Sequence, residues 1–497
     1  MIKPAPSTQQ EVDVLIVGAG ISGLSTARWL AQSGLRVQLW EKSAMAGGKI
    51  KSDHKDGFLT EQAASMIMNF KPEVDQFFLQ SGLDKLKTQR LLTTNSKRYL
   101  IHQGKLQALP MTIGGLFSSS LWSSAGKFRL LMEPFIAKSQ NSNESVSEFI
   151  KRRFGHEFLE KAMEPFIAGT LASDPDLACA TQVIPRLTAL EKRYGSITAG
   201  IIAHKILGKR TARNPDAFSF KGGMQTLVSQ LASDPMLDLQ TNIDVLKIIQ
   251  HNTKKQYPWE VHAQSNQGDI ACRAKHVVIS TPAQTAARLT QPLNQALSEL
   301  LASIKYVPLS VVHIGLQRSA IQHPLDSIGF LVSRSEKNHP QKVAINGNLW
   351  MSSAFSDRAP KDQVLLSSYL GGAQFPDAIN LSSQQSIDQV LKDIAPLLGI
   401  SPGTTALMER VDKHQYALPL YHGKYLQKLN AIKQQLNNLP ALHLQANYQG
   451  GVSIRDRIVQ SKKLSEEIIY QLSNNHADQA IYQNNSYVYS SSVLKLS

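Results

Sequence analysis

Apolar residues near the start of the chain fall into short runs, and the stretch between the runs has helical spacing. Residues 14–17 form a continuous apolar run, which is typical of a strand buried on both faces. Helical spacing follows over residues 22–32, and a second run, residues 36–40, ends on Glu41. The pattern predicts a β-strand, an α-helix and a second, parallel β-strand.

The rest of the chain alternates between the same two kinds of pattern. Residues 97–109 predict a β-hairpin with its turn at Gly104, and residues 121–213 predict mostly helix. Residues 383–395 predict a helix that Pro396 ends. Further strands are predicted at residues 237–249, 259–263, 274–280, 307–316, 327–332, 364–369 and 442–445, and a last helix extends to about residue 471. The fold class is therefore α/β.

The composition is that of a globular protein in a reducing cytoplasm. A chain of 497 residues is too long for one hydrophobic core, so two or three domains are expected. The two cysteines, Cys179 and Cys272, argue against a disulfide framework and against a cysteine-ligated metal, and no metal site is expected. The first ten residues are polar and contain two prolines, so no signal peptide is expected.

The positive charge of the chain predicts a negatively charged binding partner. The formal net charge is +15, which nucleic acid, anionic lipid or an acidic substrate could explain. No nucleic-acid-binding module is visible, so nucleic acid is not an expected partner. Residues 186–213 contain seven basic residues and one acidic residue, beside the apolar residues 197–206. This combination predicts a helix at an anionic membrane surface, and the alternative is a solvated face of a helical lobe.

The first strand leads into a glycine pattern whose chemistry suits a dinucleotide. Gly18 allows a tight turn, Gly20 lets the backbone approach a pyrophosphate, and Gly23 lets helix and strand pack closely. The N-terminus of the following helix offers N–H groups to the phosphates. Glu41, 18 residues after Gly23, can accept hydrogen bonds from ribose hydroxyls.

A second glycine pair closely follows the acidic residue. Gly47 and Gly48 precede Lys49, and this arrangement resembles the flavin monoamine-oxidase superfamily, in which it lets the chain pass close to the flavin nucleotide. The resemblance implies FAD rather than a nicotinamide cofactor. No cysteine follows Cys272 to tether the flavin, so the FAD is expected to be non-covalent.

Later motifs are similar, in order and spacing, to those of the protoporphyrinogen and coproporphyrinogen oxidase family. They are GAGISGL with Glu41, Glu133-Pro134-Phe135, and residues 95–110, 145–155, 164–175, 218–225, 354–360, 416–421 and 447–454. The resemblance implies a discontinuous Rossmann-like FAD-binding domain, a mixed-sheet substrate domain and a helical membrane-contact lobe. The implied ranges are 1–60, 215–290 and 411–475 for FAD binding, 61–110 and 291–410 for substrate binding, 111–214 for the lobe and 476–497 for a polar tail.

The same resemblance implies an oxidase of haem biosynthesis. Members of the family remove six electrons from a porphyrinogen, pass hydride to FAD and use molecular oxygen as acceptor, which yields hydrogen peroxide. Protoporphyrinogen IX is the expected substrate, and coproporphyrinogen III is the alternative. The expected location is the cytoplasm, peripheral on the cytoplasmic face of the inner membrane. Large exposed apolar surface would favour membrane docking or a homodimer.

The resemblance also implies site residues. For the substrate they are Arg98, towards a propionate, and Gly329 and Leu331, against the macrocycle. The alternatives are an exposed strand charge for Arg98 and plain core for the other two. For FAD they are Gly18, Gly20, Ser22, Gly23, Glu41, Lys42, Gly48, Val245, Thr281, Gly451, Val452 and Ile454. No general base is assigned, because the cofactor carries the redox chemistry. Arg455 and Asp456 depart from the small, neutral run usual there, so the redox tuning of the flavin is not implied.

Three other functions fit parts of the pattern. A carotenoid desaturase of the phytoene type would share the FAD and an apolar substrate, but not residues 164–175 or a role for Arg98. An amine oxidase would share the N-terminal motif, but Val452 stands where amine oxidases place an aromatic residue of their substrate cage. A non-catalytic flavin-binding scaffold would use its charge for a protein partner, and no substrate would reduce its flavin.

Overall fold

The computed structural model describes residues 10–91, 94, 97–110, 113–119, 121–141, 143–206, 216–251, 256–337 and 343–474. Predictions at Asn95, in the basic segment 207–215 and in the polar tail lie outside these residues. The strands are β1 (Gln10–Val17), β2 (Val37–Trp40), β3 (Ser52–Lys55), β4 (Phe58–Glu61), β5 (Ile67–Asn69), β6 (Lys87–Gln89), β7 (Tyr99–His102), β8 (Lys105–Ala108), β9 (Asp216–Phe220), β10 (Asp238–Gln240), β11 (Asp244–Gln250), β12 (Trp259–Ser265), β13 (Gly268–Ile279), β14 (Tyr306–Gln317), β15 (Gly329–Leu331), β16 (Ile345–Trp350), β17 (Gln363–Gly371), β18 (Met408–Pro419) and β19 (Leu442–Leu444). The helices are α1 (Ile21–Ala31), α2 (Pro72–Gln80), α3 (Ile113–Ser118), α4 (Ser124–Leu131), α5 (Val146–Phe154), α6 (His156–Phe158), α7 (Glu164–Leu171), α8 (Ala180–Val183), α9 (Pro185–Tyr194), α10 (Ile197–Ile206), α11 (Gln225–Ala232), α12 (Ala283–Thr290), α13 (Gln295–Ala302), α14 (Arg334–Lys337), α15 (Met351–Ala354), α16 (Ser383–Leu398), α17 (Tyr425–Leu436) and α18 (Ile454–Asn474).

The N-terminal pattern forms the centre of a seven-stranded sheet. Its order is β10-β2-β1-β13-β12-β11, with β19 beside the end of β13. Val17 pairs in parallel with Trp40 and Ile279, and Leu444 also pairs in parallel with Ile279. The carboxyl ends of these four strands therefore meet at one edge of the sheet, where open α/β sheets bind their ligands. The prediction of a mixed α/β fold is confirmed.

Strand β1 is buried on both faces, as its continuous apolar run predicts. Val14 and Ile16 pack in the core that contains residues of α1 and α18. Leu15 and Val17 face the opposite core, to which α12 and α13 contribute. Helices thus cover both sides of the sheet and leave its strand ends accessible.

A second, mostly antiparallel sheet has the order β18-β14-β17-β16-β15-β7-β8. Helix α16 covers one face through Ile387, Val390 and Ile394. On the other face, a Cβ atom added to Gly315 would lie 2.6 Å from the ring of Phe58 on β4. The second sheet therefore packs directly against the segment that follows the two glycine motifs.

Helices α5 to α10 form a lobe around a buried ion pair. Arg153 is fully buried, and its Nε lies 3.2 Å from an oxygen of Glu133 and 3.1 Å from one of Glu191. The Glu133 carboxylate also accepts hydrogen bonds from the N–H groups of Ile197 and Thr198, at the start of α10. These contacts explain motifs 133–135 and 145–155 as parts of the lobe core.

The structure differs from the predicted elements at two places. Residues 237–249 form two strands, because Asn242 adopts φ +57° in a turn between them. Helix α16 continues through Pro396 and ends at Gly399, which has φ +61°. Ile394 and Leu398 are buried on either side of Pro396, so core packing holds this last turn despite the missing N–H donor.

Between residues 105 and 126, the structure describes β8, α3 and the start of α4. Within the described ranges, no helix has both the length and the apolar character needed to cross a membrane.

Candidate active site

The loop between β1 and α1 needs each of its glycines for a different reason. Gly18 has φ +102°, and a Cβ there would lie 3.1 Å from the Ser280 carbonyl oxygen. A Cβ on Gly23 would lie 1.9 Å from the Gly18 oxygen, whereas a Cβ on Gly20 would meet nothing within 4 Å. No described side chain caps the N-terminus of α1, which includes Ser22. Gly20 and the helix N-terminus therefore offer N–H groups to an incoming anion.

Glu41 lies at the end of β2 and contacts this loop directly. One carboxylate oxygen accepts a hydrogen bond from the Ala19 N–H at 2.7 Å, and the other accepts from Ser43 N–H at 2.9 Å. Each oxygen keeps a lone pair for a further donor such as a ribose hydroxyl. The neighbouring Lys42 is exposed and its ammonium lies 2.8 Å from a carboxylate oxygen of Asp244.

The second glycine pair completes the same cradle. The Gly47 N–H donates to the Ala19 carbonyl at 2.8 Å. A Cβ on Gly48 would lie 3.5 Å from the Gly20 Cα. The loop at residues 18–23 and the glycine pair at residues 47–48 are therefore in direct contact.

Val245 and Thr281 reach this edge from other strands. Ile243 N–H donates to the Glu41 carbonyl, which places the start of β11 beside the acidic residue, and β11 has a bulge just after Val245. The Thr281 methyl lies 3.2 Å from the Cβ position of Gly18. Val245 therefore lies near Glu41, and Thr281 lies beside Gly18.

A third loop, residues 446–449, follows β19 and has all of its carbonyls anchored. The buried Tyr421 hydroxyl donates to the Asn447 carbonyl, and the Tyr425 hydroxyl donates to the Tyr448 carbonyl at 2.9 Å. Arg457 is fully buried and donates to the carbonyls on either side, those of Ala446 and Gln449. Three buried side chains thus donate hydrogen bonds to four successive carbonyls.

The next residues turn the chain into α18. Gly450 and Gly451 have φ +66° and +102°, and a Cβ on Gly451 would lie 2.6 Å from a carboxylate oxygen of Asp456. Val452 packs against the cluster of Cys179, Tyr421 and Tyr425. Ile454 is buried at the start of α18. Of the predicted flavin-contact residues, Gly451 and Val452 therefore lie in the turn between the anchored loop and α18, and Ile454 lies at the start of this helix.

The three predicted substrate residues lie on β15 or directly before its neighbour β7. β15 runs parallel to β7 and pairs Phe330 with Tyr99, so Gly329 lies beside Arg98. Arg98 is half-buried and donates to the Lys97 carbonyl at 2.8 Å, and burial lowers its pKa. Gly329 has φ +137° and no room for a side chain, because a Cβ would lie 2.0 Å from the Asn348 oxygen.

Leu331 connects this sheet to the helical lobe. A Cβ on Gly169 of α7 would lie 2.3 Å from a Leu331 methyl. Arg334, shortly after β15, pairs with Asp174 at 2.7 Å and with Asp176 at 2.8 Å in the loop after α7. The motif 164–175 therefore forms a helix that packs on the strand carrying two of the predicted substrate residues.

Lys49 is a cation that the sequence analysis did not assign. It lines a cleft of about 410 Å³ together with Thr285, His414 and Tyr416. Its ammonium donates to the carbonyls of Tyr416 and Ala417, and burial lowers its pKa to about 8. This cation lies directly after the second glycine pair, between the cradle and β18.

Comparison with known proteins decides the family. Residues 21–446 match the family model described as flavin containing amine oxidoreductase. The chain belongs to this family. It is therefore an FAD-dependent oxidoreductase, as the sequence motifs predict.

Two curated relatives and one solved structure extend this comparison. The chain is 30% identical to protoporphyrinogen oxidase 2, chloroplastic/mitochondrial, of Arabidopsis thaliana, over 92% of this chain and 94% of that protein. It is 25% identical to coproporphyrinogen III oxidase of Bacillus subtilis (strain 168), over 93% and 98% of the two chains. A crystal structure from Exiguobacterium sp. 255-15 has the same fold, with a TM-score of 0.75, 19% identity and coverage of 93% and 99%. The predicted resemblance is confirmed.

The strand-end cradle fits FAD. Space is open above Gly20, whereas the neighbouring Gly18 and Gly23 are closed by protein atoms, so the opening lies where a pyrophosphate would approach the backbone. Glu41 is positioned for a ribose, and the anchored loop 446–449 lies beside β13. The individual contacts of Lys42, Val245, Thr281 and the other assigned residues with FAD remain predictions.

Sequence reasoning missed the residues that hold the third loop. Tyr421 belongs to the motif 416–421 and Arg457 lies two residues after the noted Arg455, but neither position has a signal that indicates a carbonyl partner. Tyr425 begins a helix, α17, that was not predicted. The spacing within α18 does contain a signal. Arg457 lies three residues after Ile454, on the side of the helix that is buried, and a buried arginine needs a partner.

Proposed function

We propose that the protein oxidises protoporphyrinogen IX to protoporphyrin IX in haem biosynthesis, with molecular oxygen as the electron acceptor and hydrogen peroxide as the second product. The observation that carries this proposal is the 30% identity, over 92% of the chain, to a protein named protoporphyrinogen oxidase. The identity to the relative named coproporphyrinogen III oxidase is lower, at 25%. Coproporphyrinogen III is therefore the alternative substrate.

The residues of the chain bind and orient the reactants in this proposal. When bound, FAD supplies the hydride acceptor. The loops at Gly20 and Gly48 would hold its phosphates, and Glu41 would hold a ribose. The anchored loop 446–449 and the turn that follows it, up to Val452, would contact the ring system. No side chain needs to act as general base, because the nitrogens of the porphyrinogen can release their protons to water.

The substrate is flat, apolar and carries carboxylates at its edge, and the neighbouring strands β7 and β15 suit these features. Leu331 is half-buried and provides apolar contact, and Gly329 adds no side chain beside it because the Asn348 backbone fills the Cβ position. Arg98 can turn its guanidinium from backbone carbonyls to a propionate, for which its fork is well suited. An amine substrate is less suited to this cleft, since Val452 provides no aromatic cage.

The substrate test uses purified, yellow holoenzyme without oxygen. Protoporphyrinogen IX is added, and coproporphyrinogen III is added to a separate sample. Rapid loss of flavin absorbance near about 450 nm with protoporphyrinogen, and porphyrin fluorescence after air is admitted, are expected. Faster bleaching by coproporphyrinogen would replace the substrate with the alternative. No bleaching by either would contradict the proposal, and carotenoid and amine substrates would then be tested.

We further propose that the FAD-binding, substrate and membrane-contact parts occupy the ranges given above, and that the lobe docks the protein on the cytoplasmic face of the inner membrane. Phe135 is 79% exposed and Ile206 is 77% exposed. They lie on neighbouring elements, because α10 packs against the turn Glu133–Phe135, and Ile201 and Ile202 are also exposed on α10. An apolar surface within a strongly basic chain suits an anionic bilayer.

The docking test compares matched substitutions on the lobe and away from it. Phe135→Asp and Ile206→Asp are expected to lower co-sedimentation with phosphatidylglycerol vesicles several-fold. Met236→Asp, at an exposed apolar residue before β10, is expected to leave it unchanged. Equal binding by all variants would contradict membrane docking by the lobe. A dimer that Phe135→Asp dissociates, with unchanged vesicle binding, would assign the surface to a homodimer instead.

A further inference from the structure

Phe70 is contacted by two arginines from distant parts of the chain. The Arg186 Cζ is 3.7 Å from the centroid of the Phe70 ring, and the Arg455 Cζ is 4.1 Å from it. Both guanidinium groups therefore lie over the same aromatic ring, and we call this arrangement the arginine–phenylalanine stack.

The stack carries more positive than negative charge. The Arg455 guanidinium lies 3.0 Å from a carboxylate oxygen of Asp456 and donates to the Met68 carbonyl at 3.0 Å. Arg186 makes no hydrogen bond or direct ion pair with another described residue, although the charge of the Asp456 carboxylate acts on it. The pKa of Arg186 is lowered by the partial desolvation of its guanidinium and by the charge of Arg455, and the Asp456 carboxylate acts in the opposite direction. One carboxylate thus serves two cations, and the N–H donors of Arg186 remain available.

The position of the stack connects it to the FAD edge. Arg186 lies in the first turn of α9, three residues after Val183, and Val183 packs in the same cluster as Val452. Arg455 directly follows Ile454 at the start of α18. Arg186 is exposed, whereas Arg455 is partly buried. The stack therefore lies at an open boundary between the helical lobe and the loop predicted to contact the flavin.

We propose that the arginine–phenylalanine stack binds a carboxylate of the porphyrinogen at the mouth of the cleft, which rests on the proposed function. Guanidinium groups bind carboxylates bidentately, and contact with the aromatic face holds each fork in a fixed orientation. Arg98 lies directly before β7 of the second sheet, whereas the stack lies between α9 and α18, so the two sites would hold different edges of the macrocycle. This assigns a role to Arg455, which departs from the neutral run of the family.

The test measures KM and kcat for Arg186→Gln, Arg455→Gln and the double variant of the FAD-loaded enzyme in detergent. KM for protoporphyrinogen is expected to rise about tenfold in each single variant, because a charge-assisted hydrogen bond is lost. FAD content and kcat are expected to stay within about twofold. Lys463→Gln, an exposed cation on the same helix as Arg455, is the charge-matched control and is expected to behave as wild type.

A neutral substrate separates carboxylate binding from a general effect on the fold. With the dimethyl ester of the porphyrinogen, wild type and Arg186→Gln are expected to have equal KM. An unchanged KM for the free acid, or an equal rise for the ester, would overturn the proposal. So would loss of binding to phosphatidylglycerol vesicles with unchanged KM, which would assign the stack to lipid phosphate.

Binding of the product, protoporphyrin, tests the carboxylate site without any turnover. Titration of protoporphyrin, followed by its fluorescence, is expected to give weaker binding to Arg186→Gln than to wild type. If wild type oxidised no porphyrinogen but still bound protoporphyrin through Arg186, the proposed function would fail and the carboxylate site would stand. If wild type oxidised the porphyrinogen but its binding of protoporphyrin did not depend on Arg186, the proposed function would stand and only the carboxylate site would be contradicted.

Discussion

Gly20 and Gly23 differ in what a methyl group at each would contact. Gly20 has φ −68°, an ordinary value, and its Cβ would enter open space. Gly20→Ala is therefore expected to fold normally and to weaken FAD binding at least about tenfold, because the methyl occupies the approach of the pyrophosphate. The measurements are urea unfolding of the FAD-free protein and a titration with FAD.

Gly23→Ala is the matched contrast. Its Cβ would lie 1.9 Å from the Gly18 carbonyl oxygen, and backbone must move to make room. We expect a loss of about 1–3 kcal/mol in the free energy of unfolding even without FAD, the usual cost of overpacking. Equal stability of the two FAD-free variants would contradict this distinction.

Arg457 stabilises the third loop through two carbonyls that no other described side chain contacts. Arg457→Lys keeps the charge but has a single ammonium group, so the Ala446 or the Gln449 carbonyl loses its side-chain donor, although the Gln449 N–H still donates to the Ala446 carbonyl. We expect about 1–3 kcal/mol lower stability and a shifted flavin absorbance spectrum. Lys463→Gln is the control on the same helix. A stability loss with an unchanged flavin spectrum would contradict a positioning role.

At the scale of elements, β13 and β19 are joined by two buried histidines. His276 Nδ1 and His443 Nε2 are 3.0 Å apart, so only one of these two nitrogens can carry a proton, which it donates to the other. Burial lowers the pKa of His276 from 6.5 to about 4, and burial together with the neighbouring imidazole lowers that of His443. Both imidazoles are therefore neutral in the folded protein at neutral pH.

Stability is expected to fall as pH decreases from 6.5 towards 4. In this window the unfolded chain binds protons that the folded chain does not, so the free energy of unfolding falls by up to about 1.4 kcal/mol per pH unit for each imidazole. Above pH 6.5 the pair has no such effect. Urea unfolding at several pH values should show a smaller slope for His443→Asn, and an unchanged slope for the exposed His54→Asn.

The sequence predicts elements whose cause is local and misses those whose cause is tertiary. The strand at residues 14–17 and the loop at Gly18 are predictable, because burial on both faces and the glycine spacing are written in consecutive residues. Pro396 predicts a helix end, but the buried Leu398 holds one more turn. The partners of residues 446–449 come from separate elements, α17 and α18 among them, and no periodicity connects these residues.

The same limit applies to the candidate site. Arg98, Gly329 and Leu331 are adjacent only because β7 pairs with β15 across more than 200 residues of sequence, and the motif resemblance, rather than any spacing, assigned them together. Lys49 and Arg186 have no such motif. Their significance depends on burial beside β18 and on stacking against Phe70, which only the folded chain shows.

At the scale of the whole molecule, three segments that are distant in sequence lie close to one edge of the first sheet. The loops at residues 18–23, 47–48 and 446–452 lie at the carboxyl ends of parallel strands of one sheet or directly beside them. A ligand that contacts all three loops would connect the N-terminal part of the described chain to its C-terminal part. FAD at about 100 times its Kd is expected to add about 2.7 kcal/mol to stability, with a Tm that rises with FAD concentration.

Hydrogen exchange can show whether the three segments respond together. Removal of FAD is expected to increase exchange in all three loops, because each loses contacts with the same ligand and the sheet edge then opens without it. Helix α16, which packs on the far face of the second sheet, is the internal control and should exchange equally with and without FAD. Protection by FAD confined to residues 18–23 would contradict the assignment of Gly451, Val452 and Ile454, since a ligand that leaves the third loop unprotected does not reach it.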